Sequence, residues 1–181
     1  MVGHEIYSYT LHTNGLNKLE EAVDALTVHP DTVLNQYGKA CLLYTVVLQF
    51  STISARHTPP SRPQALRVVK KLLDKGADPN FGITHHDKYG YNVSGIPMYR
   101  AVYYNHYDVV ELFIKYGGNV NIGGYNELLF CSTGYSYFGG PNFKMTILLI
   151  NNGANINGQV RRGKETLRQI FESHYSNELK F

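Results

Sequence analysis

The sequence predicts an all-α solenoid, a stack of short helix-turn-helix units with hairpin loops between them. Three observations lead to this prediction. One segment occurs three times, as LLDKGADPN at 72–80, FIKYGGNVN at 113–121 and LLINNGANIN at 148–157. Each copy ends a stretch with helical apolar spacing, such as Val68, Val69 and Leu72 before the first copy. A second, shorter apolar segment precedes each of these stretches, and such self-similarity is the signature of a repeat architecture.

Each copy joins a glycine to an asparagine further along the chain. The pairs are Gly76 with Asn80, Gly117 with Asn121, and Gly153 with Asn157. Glycine adopts the left-handed conformation that closes a helix without steric cost, so we interpret it as the helix end. Asparagine is a frequent turn residue, and we interpret it as the point where the chain turns outward to a hairpin.

A calcium loop is the alternative interpretation of the first copy, because Asp74, Asp78 and Asn80 are closely spaced oxygen ligands. An EF-hand loop that began at Asp74 would require glycine at its sixth position and a bidentate acid at its twelfth. The chain has Pro79 and His85 at these positions. The calcium interpretation therefore fails, and the segment is taken as a helix end.

The unit at 96–121 has the most regular pattern. It begins with IPMYRAV at 96–102, where Pro97 stands in the first helical turn and its missing N–H costs nothing. YYNHYDVVELFIKYGGNVN follows at 103–121. This unit resembles the ankyrin-repeat family, whose repeat of about 33 residues is a turn and two antiparallel helices with a T-P-L-H-x-A-A signature. Asn105 stands where the family usually has glycine.

The resemblance extends over nearly the whole chain and implies one ankyrin-repeat domain at 1–181, with about four repeats and a partial C-terminal cap. The implied units are 1–35, 36–80, 81–121 and 122–157, and the cap is 158–181. Extra residues interrupt the regular pattern at matching places and are predicted to form loops on one face. These insertions flank the hairpin tip DKYGY at 87–91 and include QFSTISARHTPPSRPQ at 49–64 and YSYFGG at 135–140.

The composition is that of a soluble globular protein. Of the 181 residues, 43% are hydrophobic and 17% are charged. A net charge of +3 does not identify the partner, but the sequence lacks the clustered Lys and Arg of typical nucleic-acid binders, so we do not expect nucleic acid. Cys41 and Cys131 are too few for a disulfide framework, so we expect a reducing, cytoplasmic compartment. We expect no cleaved leader, no membrane span and a monomer.

The resemblance implies a protein–protein interaction module that is not an enzyme and needs no cofactor or metal. Its contacts would come from the hairpin tips and from the concave face of the inner helices, where exposed aromatic side chains form typical binding hot spots. In the long loops, the predicted contact residues are His85, His86, Asp87, Lys88, Tyr89, Tyr91, Tyr135 and Tyr137. On the inner helices they are Arg100, Tyr103 and Tyr104. Tyr9, Tyr44 and Phe130 stand at the slot equivalent to Arg100, where side chains such as Phe130 and Tyr44 either face the groove or pack against neighbouring units.

A metal or thiol enzyme is one alternative. THHD at 84–87 places two histidines and an aspartate side by side, but adjacent residues of an extended loop point in different directions. We therefore prefer a contact loop there. Cys41 and Cys131 lie in apolar inner-helix segments, where a cysteine packs as a small hydrophobe, so a catalytic thiol is also disfavoured.

A basic surface for nucleic acid or anionic lipid is a second alternative. Its residues would be Arg67, Lys70, Lys71, Arg161, Arg162 and Lys164. The resemblance also suggests that the chain receives Asn hydroxylation, since a leucine stands eight residues before Asn80 and Asn157, as in ankyrin substrates of that modification. Irregular units rich in Tyr and Asn resemble stand-alone ankyrin proteins of intracellular bacteria or large DNA viruses. That resemblance implies an effector that is translocated into a host cell and acts on host proteins.

Overall fold

The computed structural model describes residues 13–32, 41–48, 61–82, 85–87, 90–92, 95–122, 127–133, 142–158 and 166–174. Its helices are α1 (Thr13–Asp24), α2 (42–48), α3 (Ser61–Asp74), α4 (Pro97–Tyr103), α5 (Tyr107–Lys115), α6 (Glu127–Ser132), α7 (Phe143–Asn151) and α8 (Leu167–His174). A 3-10 turn at Pro30–Thr32 follows α1. The predicted all-α architecture with hairpin loops is confirmed for the part of the chain that the structure describes.

The hairpin lies between α3 and α4. Its strands are β1 (His85–Asp87) and β2 (Gly90–Asn92), which pair antiparallel. His85 stands opposite Asn92, and Asp87 stands opposite Gly90. The extra residues that the sequence places around 87–91 therefore lengthen a β-hairpin directly ahead of α4.

The helices pack in two rows. In the first row, α3 lies between α1 and α5 and contacts both. In the second row, α4 contacts α6. In addition, α4 packs against α5, and α6 packs against α7. Contacts between successive helix pairs are the packing expected of a repeat stack, in which each unit is stabilised by its neighbours.

The three predicted glycines do close helices. Gly76, Gly117 and Gly153 have φ of +93°, +84° and +88°, in the region that L side chains rarely adopt. At the first of these ends, the N–H of Gly76 donates to Leu73 O at 2.9 Å and the N–H of Ala77 donates to Leu72 O at 3.0 Å. This pair of bonds is a Schellman motif, which satisfies carbonyls that the helix end leaves open.

Asn105 makes the corner between α4 and α5. Its φ is +57°, and its N–H donates to Val102 O at 3.0 Å. Asparagine tolerates the left-handed region better than other residues with a side chain. The residue that stands in place of the family's glycine therefore keeps the conformation that the corner requires.

One apolar core runs through both rows. Leu16 of α1, Leu72 of α3, Met98 of α4, Phe113 of α5 and Leu128 of α6 are all fully buried within it. Burying a side chain of this size contributes about 1.5–3 kcal/mol to folding relative to leaving it exposed. The core therefore fixes the helices, and partly buried tyrosines such as Tyr44 and Tyr103 pack against it.

Candidate functional site

Arginine and tyrosine side chains meet on the second helix row, in what we call the tyrosine–arginine cluster. It consists of Arg100 and Tyr103 of α4, Tyr104 directly after that helix, and Tyr44 of α2. Residues three and four positions apart lie on the same side of a helix, which places Tyr103 and Tyr104 beside Arg100. The inner-helix residues that the sequence predicts as contacts are therefore together in space.

The Arg100 guanidinium is enclosed by the three rings. Its Nη2 donates to the Tyr44 hydroxyl at 2.6 Å. Its Cζ lies 5.4 Å from the ring centroids of Tyr44 and Tyr104 and 5.9 Å from that of Tyr103. These distances are within the range of cation–π attraction. All four side chains are partly buried, and the Nε of Arg100 is buried without a hydrogen-bond partner.

Further ring contacts hold the tyrosines of α4 in place. Tyr99 and Tyr103 stack at 6.0 Å between centroids, and Tyr103 meets Tyr104 edge-on at 5.1 Å. Tyr104 in turn stacks on His106 at 6.1 Å. Burial, with a smaller effect of the Arg62 cation, lowers the pKa of His106 to about 4, so this imidazole is neutral at physiological pH. The cluster is thus a preorganised surface that rests on a neutral, buried ring.

A second arrangement, which we call the hydrogen-bond ladder, connects successive turns. The Asn80 side chain donates to Gly117 O at 3.0 Å and accepts from the N–H of Asn119 at 2.7 Å. Asn121 makes the same two bonds to the next turn, at 2.9 and 2.8 Å. The sequence interpretation assigned these asparagines to turns but missed the bonds between turns. The sequence signal that points to these bonds is the asparagine at the same place in each copy.

Asp31 occupies the ladder position in the preceding turn. Its Oδ2 accepts from the N–H of Asp78 at 3.0 Å, as Asn80 accepts from Asn119. Its Oδ1 is buried without a hydrogen-bond partner. Burial raises the pKa of Asp31, more than the bond from Asp78 lowers it. Asn35, which the sequence takes as the marker of the first unit, lies outside the described residues.

Asn80 and Asn157, the predicted hydroxylation sites, both use their side chains in hydrogen bonds. Asn80 belongs to the ladder, and the Oδ1 of Asn157 accepts from Arg168 Nε at 2.8 Å. Asn80 is partly buried and Asn157 is exposed. Modification of these residues stays a prediction.

The other predicted contact residues are described only in part. The backbones of His85, His86, Asp87 and Tyr91 belong to the hairpin, and their side chains lie outside the described part. Lys88, Tyr89, Tyr135, Tyr137 and Tyr9 lie outside the described residues altogether. Phe130 of α6 is partly buried and packs against the core. The predicted role of the loops in contact therefore stays a prediction.

The two cysteines are buried thiols. Burial raises the pKa of Cys41 to about 11, so at neutral pH it is a protonated, weak nucleophile. The Cys131 Sγ lies 3.5 Å from the Tyr99 hydroxyl. Among the described side chains, no three metal-ligating groups come together. The side chains of 84–87 lie outside the described part.

The basic residues of α3 are paired with carboxylates. Arg67 and Lys71 both lie near Glu20, at 3.6 and 3.1 Å, and Lys70 lies 2.7 Å from Asp74. Exposed pairs of this kind stabilise a fold little, but they neutralise positive charge locally. The remaining predicted cations, Arg161, Arg162 and Lys164, lie outside the described residues.

Stacked helix pairs with regularly placed turns define the chain as a helical repeat protein. The family model for the ankyrin repeat matches residues 96–125, which include α4 and α5, and this match supports the ankyrin-repeat family. Comparison with curated proteins and with solved structures gives no match. Ankyrin repeats are generally protein–protein interaction modules without enzymatic activity. Within the described ranges, no helix has the length and apolar character needed to cross a membrane.

Proposed function

We propose that this chain binds a partner protein through the tyrosine–arginine cluster together with the β1–β2 hairpin. The observation that carries the proposal is the cluster itself, a partly exposed group of three tyrosines and one arginine held together by a hydrogen bond and ring contacts. The protein's action on the partner is binding and not chemistry. The hairpin supports the proposal because it directly precedes α4, the helix that carries most of the cluster.

The composition of the cluster suits a binding hot spot. Tyrosine and arginine are enriched among the residues that dominate binding energies, especially where they are packed and partly desolvated. A tyrosine has only two side-chain torsions, so it contributes contact area with little loss of conformational entropy. The ring contacts of Tyr103 and Tyr104 fix these torsions before a partner arrives, which lowers the cost of binding further.

The experiment compares a variant of the cluster with a control variant that removes one tyrosine ring elsewhere. The double variant Tyr103→Ala and Tyr104→Ala removes the cluster's rings from the second helix row. The control variant Tyr107→Ala removes a ring from α5 in the first row, where Lys144 Nζ lies 3.9 Å from the ring centroid. Partners are captured from host-cell lysate with the unmodified chain and identified by mass spectrometry. Their affinity for each variant is then measured by calorimetry, and circular dichroism checks that helicity is retained.

We expect the double variant to lose at least about 2 kcal/mol of binding free energy, which is roughly a 30-fold weaker affinity. The control variant should remain within about threefold of the unmodified chain. Equal affinity of both variants for the captured partner would show that the cluster is not the contact surface.

The role as an effector that acts on host proteins in a host cell extends this proposal. It is supported by the resemblance of the irregular, Tyr- and Asn-rich units to stand-alone ankyrin proteins of intracellular bacteria and large DNA viruses. A translocation assay with a reporter fused to the whole chain tests it. A reporter signal inside host cells is expected, and its absence would remove the effector role while leaving the binding surface in place.

A further inference from the structure

Arg100 differs from the other arginines that the structure describes. Each of those pairs with a carboxylate: Arg62 with Asp108 at 2.7 Å, Arg67 with Glu20 at 3.6 Å, and Arg168 with Glu172 at 3.9 Å. No described carboxylate lies within ion-pair distance of Arg100. Its side chain contacts tyrosine rings and one tyrosine hydroxyl instead. Arg100 is therefore a cation in an aromatic setting without a counter-ion in the described part of the chain.

The guanidinium retains unused hydrogen-bonding capacity. It has five N–H groups, and the bond to the Tyr44 hydroxyl takes one of them. The Nε is buried without a partner, although the residue as a whole remains partly exposed. Partial removal of a cation from water without an anion is unfavourable, because the lost hydration is not replaced. An anion that reached the exposed part of Arg100 would offset this cost.

The geometry points to an acidic side chain of the partner, an aspartate or glutamate, as the group that the tyrosine–arginine cluster receives. This inference rests on the proposed function, since it names the chemistry by which the same surface recognises its partner. The planar fork of a guanidinium matches a carboxylate and forms short, charge-assisted hydrogen bonds with it. The rings of Tyr103 and Tyr104 would flank the carbon chain of the acidic residue and reduce its contact with water.

The number of cations favours a carboxylate over a phosphate. Phosphorylated residues carry nearly two negative charges and are typically recognised by clusters of arginines. The described part of the tyrosine–arginine cluster contains one cation, Arg100, which balances the single charge of a carboxylate. The surrounding tyrosines add hydroxyl groups and rings but no basic side chain.

The probes are two blocked pentapeptides of glycine, one with a central glutamate and one with a central glutamine. The readout is the ¹⁵N–¹H signal of the Arg100 Nε, which is buried and therefore exchanges slowly with water. The signal is assigned by its loss in the Arg100→Lys variant. Backbone amide signals of Tyr103 and Tyr104 provide binding curves for every variant. The titrations are performed at low ionic strength and repeated in salt.

We expect the glutamate peptide to shift the Nε signal and to bind roughly tenfold more tightly than the glutamine peptide. This preference should shrink in salt, because the interaction is partly exposed. Arg100→Gln should abolish the preference. Arg100→Lys, which keeps the charge and removes the planar fork, should lose most of it, and this second variant replaces the first if Arg100→Gln does not fold.

The control variant is Arg67→Gln, which removes the same charge from α3, outside the cluster. It should keep the preference for the glutamate peptide. The inference is overturned if the two peptides bind alike, if chloride or phosphate gives the same saturating shift, or if Arg100→Gln retains the preference. It is also overturned if only a peptide with a free C-terminal carboxylate binds.

The two proposals fail in distinguishable ways. If the peptides bind alike but the tyrosine double variant still loses the captured partner, the partner surface stands and the acidic-side-chain inference falls. If the glutamate peptide is preferred but the captured partner binds the double variant normally, the carboxylate chemistry is supported and the proposed partner surface is contradicted.

Discussion

Replacement of Asp31 by asparagine is predicted to stabilise the fold. Asp31 holds the position that asparagine holds in two later turns, and it makes one of the two ladder bonds. In those turns the amide nitrogen of the side chain donates to a glycine carbonyl, Gly117 O or Gly153 O. By the same register, the side chain of residue 31 would donate to Gly76 O. An ionised carboxylate has no proton to donate, so Asp31 cannot make this bond.

Two contributions of similar size make up the expected gain in the free energy of unfolding. The variant adds one hydrogen bond to a buried position, which contributes about 1 kcal/mol. It also removes a carboxylate whose Oδ1 is buried without a partner, and relief of that cost contributes about 1 kcal/mol more. A possible loss is the charge contact with His29, whose Nδ1 lies 3.8 Å from Asp31 Oδ2. The His29 side chain is half exposed, so loss of this contact costs little. We expect a gain of about 1–2 kcal/mol at pH 7.

The gain in stability from Asp31→Asn should depend on pH, because burial raises the pKa of Asp31. Because the folded protein raises the pKa of Asp31, the neutral carboxyl is favoured in the folded state. The stability that this preference contributes is fully present below the pKa that Asp31 has in the unfolded chain. It is lost as the pH rises through the pKa that Asp31 has in the folded protein. Protonation at acidic pH thus removes the charge that the variant removes permanently. The advantage of Asp31→Asn should be largest near neutrality and should decrease towards acidic pH.

Urea unfolding followed by circular dichroism, at several pH values, measures both effects. The matched control is Asp78→Asn, which makes the same chemical change in the same ladder step. Asp78 is exposed, so its variant should change stability by no more than about 0.5 kcal/mol. The reasoning is refuted if Asp31→Asn is no more stable than the unmodified chain at pH 7, or if its gain grows on acidification.

Three further predictions concern helix ends, the ladder and the thiols. Gly118→Ala should destabilise more than Gly117→Ala in urea unfolding. A Cβ at 118 would lie 2.8 Å from Phe113 O, whereas one at 117 meets nothing within 4 Å and adds only the strain of φ +84°, about 1–2 kcal/mol. Asn121→Ala should cost about 1–3 kcal/mol, because two ladder bonds are lost; an unchanged denaturation midpoint would contradict this. Cys41 should react with a disulfide reagent at pH 8 only as the protein unfolds, since burial raises its pKa to about 11; rapid reaction of the folded protein would contradict the burial.

The sequence predicts features that depend on local geometry. The glycine helix ends follow from the conformation that only glycine adopts easily, and the side-by-side placement of Arg100 and Tyr103 follows from the helical repeat. The alignment of the units places Tyr44 at the slot equivalent to Arg100, but the bond between the two side chains depends on how α2 packs near α4, which the alignment does not specify. Asp31 is missed for another reason. Asn35 matches the asparagine of the repeated segment in the sequence, whereas Asp31 makes the ladder contact, in a turn of different length.

The hydrogen-bond ladder also sets the order in which the chain opens. Each ladder step joins one turn to the next turn only, so protection from hydrogen exchange should fall stepwise from the middle of the stack to its ends. The step at Asp31 has an unpartnered buried oxygen, while the steps at Asn80 and Asn121 are doubly bonded. We therefore expect local opening at neutral pH to begin at the turn that follows α1. The amide of Asp78 should then exchange before the amides of Asn119 and Asn155.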